Sequence, residues 1–213
     1  MTVSRQPVML VVALGCVVLA GCNLDLSSLG SNANPDPTTT DPPGMDPPPM
    51  DDPDSDPPDD PDEIPLNAYC EPVVDWDAAW AALEEDVIEL MNMHRAQGAD
   101  CGSAGTFGAT HPLTIDSALH CAARNHSLDM NVRDFFSHTN PDGDGPGERI
   151  RQAGYSPLSW GENIARGQAT PENVVNAWMD SDGHCANIMR PSFTELGIGF
   201  YEGNFWTAAY GDD

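Results

Sequence analysis

An α+β domain is expected over residues 66–213, because helical and strand periodicities occupy different ends of that stretch. Trp76 and Trp80 lie near the start of the first helical segment, Asp75 to Gln97. Val87, Leu90, Met91 and His94 follow at helical spacing, and Gly98 is its stop. A glycine-rich loop carries Cys101. Leu113-Thr114-Ile115 then leads to Asp116, a good N-cap for a helix from Ser117 to Arg133, which puts Leu119, Ala122, Ala123, His126 and Met130 on one side. Gly147 to Ala153 reads as a short helix closed by Gly154. Thr170-Pro171-Glu172 supplies an N-cap, a proline at the first helical position and an acid in the first turn, so a helix runs on through Val174, Val175 and Trp178. Only the C-terminal end changes period: Leu196, Ile198 and Phe200 alternate with smaller residues, Gly203-Asn204 can turn, and Phe205 to Tyr210 completes an antiparallel hairpin. There is no internal repeat.

The residues ahead of this domain have a different chemistry. Arg5 precedes a short apolar run from Val8 to Ala20, and residues 1–21 read as a secretory signal. Leu19-Ala20-Gly21-Cys22 resembles the lipobox of bacterial lipoproteins, which implies cleavage before Cys22, lipid on Cys22, and attachment to a membrane of the cell envelope, on its periplasmic side or at the cell surface. From Cys22 to residue 65 the chain reads as a disordered tether. The stretch DPPGMDPPPMDDPDSDPPDDPDEIP has few large apolar side chains to offset the entropy of ordering, and its like charges repel. At about 3 Å per residue such a segment reaches on the order of 100 Å.

The formal net charge of -26 rests on eight basic residues, every one an arginine. A nucleic-acid partner would need a basic face, and none is on offer. Once Cys16 leaves with the leader and Cys22 carries lipid, Cys70, Cys101, Cys121 and Cys185 remain. An even number in an exported chain reads as two disulfides, and spacing alone leaves all three pairings open. No CxxC spacing supports a zinc site built from these cysteines.

Four phrases set polar residues among glycines and aromatics: FFSHTNPDGDGPGERI, WGENIA, VVNAWMDSDGHCANIM and FTELGIGF. Their order and spacing resemble the CAP superfamily of cysteine-rich secretory, antigen 5 and pathogenesis-related proteins, its bacterial members above all. The resemblance runs from Glu84 to Gly211. It implies a three-layer α-β-α sandwich, with a central cleft holding two histidines and acidic residues able to bind a divalent metal. Carried over by motif, the cleft residues are His138, Glu162 and His184. Two imidazoles and a carboxylate suit Zn²⁺ or another divalent cation with a position left open for water. The family's second glutamate falls on Ser181, flanked by Asp180 and Asp182 as substitutes, Asp182 being nearer the glycine turn. The resemblance also pairs Cys101 with Cys185 and Cys70 with Cys121. Asn163 and Asn187 are expected to brace loops, and His94 and His126 to be core or interface residues.

Three functions follow from the resemblance. The first is a binding module for a lipid, a small ligand or an envelope partner. The second is a metal-dependent, peptidase-like hydrolase using His138, Glu162 and His184, which the missing second glutamate counts against. The third is a structural envelope protein, indifferent to changes at His138 and His184. Ser137 beside His138 lacks any nucleophile-elbow or oxyanion context. Binding is favoured over catalysis.

Overall fold

The computed structural model describes residues 63–212. The leader, Cys22 and the Asp/Pro-rich stretch through residue 62 lie outside the described residues. Packing begins ahead of the expected boundary at 66, because Ile64 is buried with Cys70, Val73 and Leu119.

Local chemistry sets most element ends. Helix α1 (Ala78–Gln97) starts where the Asp77 carboxylate accepts the N–H groups of Ala79 and Trp80, and stops at Gly98 with φ +81°. A Cβ at Gly98 would lie 2.8 Å from the Phe107 carbonyl oxygen, so the turn needs glycine twice over. Strands β1 (Ala99–Asp100) and β2 (Thr106–Phe107) form a small ladder inside the glycine-rich loop. β3 (Thr114–Ile115) leads into α2 (Ser117–Val132), capped by Asp116 on the Leu119 N–H. α3 (Pro146–Ala153) closes on left-handed Gly154. β4 (Trp160–Arg166) precedes α4 (Pro171–Met179), where Thr170 caps the Asn173 N–H, and then α5 (Asp182–Met189). β5 (Glu195–Tyr201) and β6 (Phe205–Gly211) make the expected hairpin across Gly203 and Asn204, both at positive φ.

The main sheet runs β3-β5-β6-β4, with β3 parallel to β5 and the other pairs antiparallel. Register assigns the faces. Glu162 lies opposite Ala209, and Ala209 opposite Gly197, so the three share one face. Helix α2 covers it closely: a Cβ at Gly197 would come within 2.1 Å of the Leu119 and His120 backbone, and one at Gly199 within 2.3 Å of Ala123. Ser127 adds a hydrogen bond of 2.8 Å to the Gly199 carbonyl. On the other face Leu196, Ile198, Trp206 and Tyr210 pack with Val87 and Met91 of α1, Trp178 of α4 and Ile188 of α5. The result is three layers, α-β-α.

The disulfides are Cys70–Cys121, with Cα atoms 5.6 Å apart, and Cys101–Cys185, 5.5 Å apart. The first joins the N-terminal approach to α2; the second joins the glycine-rich loop to α5.

Candidate functional site

β4 is an edge strand, and consecutive residues on it face opposite layers. Glu162 points to the α2 and α3 side. Asn163 points to the α5 side, where its amide donates to the His184 carbonyl at 3.1 Å and to the Tyr210 hydroxyl at 3.1 Å. Asn187 donates to the Asn163 side-chain oxygen at 2.9 Å and to the Glu162 carbonyl at 3.3 Å. Both asparagines therefore brace the strand to α5.

On the first side, Glu162 is buried and both its oxygens are engaged. Arg149 of α3 donates to Oε2 at 2.5 Å, and the Nδ1 of His138 lies 2.7 Å from Oε1. The same arginine donates to the carbonyls of His138 at 2.8 Å and Asp144 at 2.9 Å, which fastens the loop carrying His138 to the carboxylate it faces. Within that loop the Asn140 side-chain oxygen accepts the N–H groups of Asp142 and Asp144. Burial alone would push the Glu162 carboxyl up. The His138 hydrogen bond and Arg149, through its charge and its hydrogen bond, outweigh it, and the group is held below the usual carboxylate range.

His126 of α2 completes this side. Its Nε2 lies 3.0 Å from the Ser137 carbonyl and 3.9 Å from Glu162 Oε1, both acceptors, so Nε2 carries the proton. Its Nδ1 is buried without a hydrogen-bond partner. Burial drives its pKa down to about 4, with Arg149 adding to the effect and Glu162 opposing it. The ring is therefore neutral at pH 7. Ser137 shows its carbonyl to His126, and its hydroxyl accepts the Thr139 N–H at 3.2 Å, a turn within its own loop.

His184 enters from the first turn of α5, half-buried, beside the Cys101–Cys185 bond. Burial lowers its pKa, and the neighbouring charge of His138 lowers it further. His138 presents a side chain that is 49% exposed, and with Nδ1 on Glu162 its Nε2 is the atom left to meet a ligand.

Of the expected cleft residues, the structure joins His138 to Glu162 by a hydrogen bond, and His184 is linked to them only through the charge of His138 that lowers its pKa. Asp182 stands elsewhere. Its carboxylate accepts the Ser103 N–H at 2.8 Å and the Ser103 hydroxyl, and those bonds hold it below the usual range. It fastens α5 to the Cys101 loop. Glu162 likewise departs from its expected part as a metal ligand, since Arg149 and His138 occupy its oxygens. No group of three or more His, Cys, Asp or Glu side chains able to hold a metal ion occurs among the described residues. The set does not fit a three-ligand site. It fits two imidazoles, one of them oriented from behind by a carboxylate. Arg149 and His126 were not expected as site residues. Arg149 sits inside FFSHTNPDGDGPGERI, and a cation is scarce in so acidic a chain, which is the signal that marks it.

The comparisons agree with this architecture. The chain is 40% identical over 131 residues to the uncharacterized protein YkwD of Bacillus subtilis, a match covering 61% of this chain and 47% of that protein. It is 26% identical over 134 residues to the uncharacterized membrane protein YlbC of the same organism, covering 61% of this chain and 36% of that one. The chain thus spans about half or less of the curated relatives it matches. An extracellular SCP-domain protein of Bacillus anthracis superposes with a TM-score of 0.56 at 26% identity, over 62% of this chain and 41% of that structure. The model of the CAP cysteine-rich secretory protein family matches residues 88–210, more than half of the sequence, and the chain belongs to that family.

Proposed function

We propose that this chain is an exported CAP-domain binding module, anchored to the envelope membrane by lipid on Cys22, with the cleft between His138 and His184 as its ligand seat. The observation that carries the reading is the saturated Glu162. With Arg149 on one oxygen and His138 on the other, the His138 ring is oriented before a ligand arrives, which lowers the ordering cost of binding there. Export is supported by the two disulfides, which persist in oxidising compartments, and by similarity to a solved extracellular protein. The ligand class is a lipid, a small molecule or an envelope component with a polar head that takes hydrogen bonds from the imidazoles. A divalent cation, Zn²⁺ by ligand type, belongs to this reading only as a guest of the two histidines, with Glu162 orienting His138.

The test is a thermal-shift screen of the purified chain against lipids, cell-wall fragments and Zn²⁺, with each hit repeated by calorimetry on His138→Ala and His184→Ala. Hits weakened at least tenfold in both variants support the cleft as the seat. Hits indifferent to both, or no hits at all, overturn it.

One observation favours a second reading. A histidine backed by a carboxylate at 2.7 Å is the arrangement a general base requires, so hydrolysis remains chemically available to His138. Peptide cleavage abolished in a folded His138→Ala protein would establish it. Activity that persists in that protein belongs to a contaminant.

A further inference from the structure

A cavity of about 440 Å³ lies between the N-terminal segment, α1 and α2, and shares no residue with the His138–His184 cleft. Its walls are apolar: Ile64, Leu66, Val74, Trp76 and Ile115. A second cavity of about 420 Å³ adjoins it, sharing Leu66 and Val74. Those two side chains are 83% and 42% exposed, so large aliphatic groups stand uncovered at the mouth. The volume lies in the range of ordinary small-ligand pockets, about 300–1,000 Å³.

The cavity's charges select the ligand. His120 and Arg124 line the cavity, and both turn to buried Glu84. Arg124 donates to it at 3.0 and 2.7 Å, and His120 Nε2 lies 3.3 Å away. The other Glu84 oxygen accepts the Trp76 indole at 2.9 Å and the Phe200 N–H at 2.8 Å. The arginine is thereby neutralised where it stands and offers little attraction to an anion. The remaining charged lining is acidic: Glu63 and Glu85 on the first cavity, Glu71 and Asp75 on the second. All four are exposed and have no ion-pair partner among the described residues. An apolar trough with acid-only free charge complements one chemistry.

We propose that this trough is a second ligand site, and that it takes a small amphiphilic cation, an organic ammonium group on an aliphatic body. The chain buries against Ile64, Leu66, Val74 and Ile115, while the ammonium stays at the wet mouth between Glu63 and Glu85.

The test titrates the full chain with n-octylammonium, octanoate and 1-octanol, all below self-association, by calorimetry and by methyl NMR of the isoleucines. Octylammonium is expected to bind with one-to-one saturation, at least tenfold tighter than octanoate, and to shift the Ile64 and Ile115 methyl signals. Ala78→Trp fills the trough from an exposed position at the start of α1, and should weaken octylammonium at least tenfold. The double change Glu63→Gln with Glu85→Gln, both exposed, should remove most of the preference for the cation while leaving octanol unchanged. Equal affinity for octanoate and octylammonium overturns the proposal, as does binding that leaves both methyls unmoved or ignores Ala78→Trp.

Discussion

Replacing Arg149 with methionine tests whether the cleft is held by a buried ion pair. The two side chains are 3% and 4% exposed, and among the described residues the guanidinium is the only full-time cation bonded to Glu162. Removing one member of such a pair and leaving the other charged costs about 3–5 kcal/mol. For a domain of this size each kcal/mol moves Tm by roughly 2–4 °C, so a fall of roughly 10 °C is expected at pH 7. The loss should depend on pH in a defined direction. In the native protein Glu162 has a depressed pKa, so its contribution is present above the unfolded value and disappears as pH falls through the folded value. Without Arg149 the burial that already pushes this carboxyl up has less to oppose it. The folded pKa rises, and the variant loses stability as pH climbs from the unfolded value towards the raised folded one. The gap between native and variant should therefore be widest near pH 7 and shrink toward pH 4.5. Thermal unfolding of both proteins across pH 4.5–8 measures this directly. A gap that is small throughout, or that does not change with pH, would refute the account of Glu162 as a charge kept ionised by its partners.

Three further outcomes are expected. His126 binds no proton in the fold until about pH 4, whereas the unfolded chain takes one up near 6.5, so the domain should lose roughly 3 kcal/mol on acidification through that window; His126→Gln should flatten the slope. Gly197→Ala drives a methyl into the α2 backbone and should prevent folding to the native state, whereas Gly183→Ala, with nothing within 4 Å, should change Tm little. Replacing Cys70 and Cys121 together with serine reopens a loop with a sequence separation of 51 and should cost up to about 4 kcal/mol by denaturant unfolding, without shifting the His184 ring signals.

Elements whose ends are written in short-range chemistry were legible. Asp116, Thr170, Gly154 and Gly98 each bond or bend within a few residues of themselves, and the helices they bound fall where expected. β4 was not legible as a strand. Its inner residues, Gly161 to Ala165, are buried on both faces and include Glu162 and Asn163, so no alternation of apolar and polar marks it. Glu162 and Asn163 are satisfied by Arg149, Asn187 and Tyr210, which lie far along the sequence. α5 hides for a related reason, since Gly183, His184 and Asn187 give a short helix little periodicity. In α1 the spacing favoured His94, yet Arg95 is the side chain buried there, donating to the carbonyls of His111, Ile188, Arg190 and Phe193. At the site, motif order pointed to His138 and Glu162, which meet in a hydrogen bond. It misassigned Asp182 because that residue's partner, Ser103, is separated from it by 79 positions.

The disposition of the arginines ties these points together. Of eight in the whole chain, Arg95, Arg124 and Arg149 are buried. Each is spent on interior acceptors: Arg95 on carbonyls, Arg124 on Glu84, Arg149 on Glu162 and the His138 loop. A buried carboxylate is tolerable only when paired, so two of these cations are committed by the two interior glutamates. What remains for the surface is Arg133, Arg151, Arg166 and Arg190 among the described residues, and the first of these is held by Asp129 and Asp142. The same scarcity therefore builds the cleft and leaves the exterior acidic. It follows that a partner recognised through long-range attraction must carry positive charge, and that raising ionic strength from about 0.05 to 0.5 M should slow its association while leaving the Arg149–Glu162 clamp, shielded from solvent, largely unaffected.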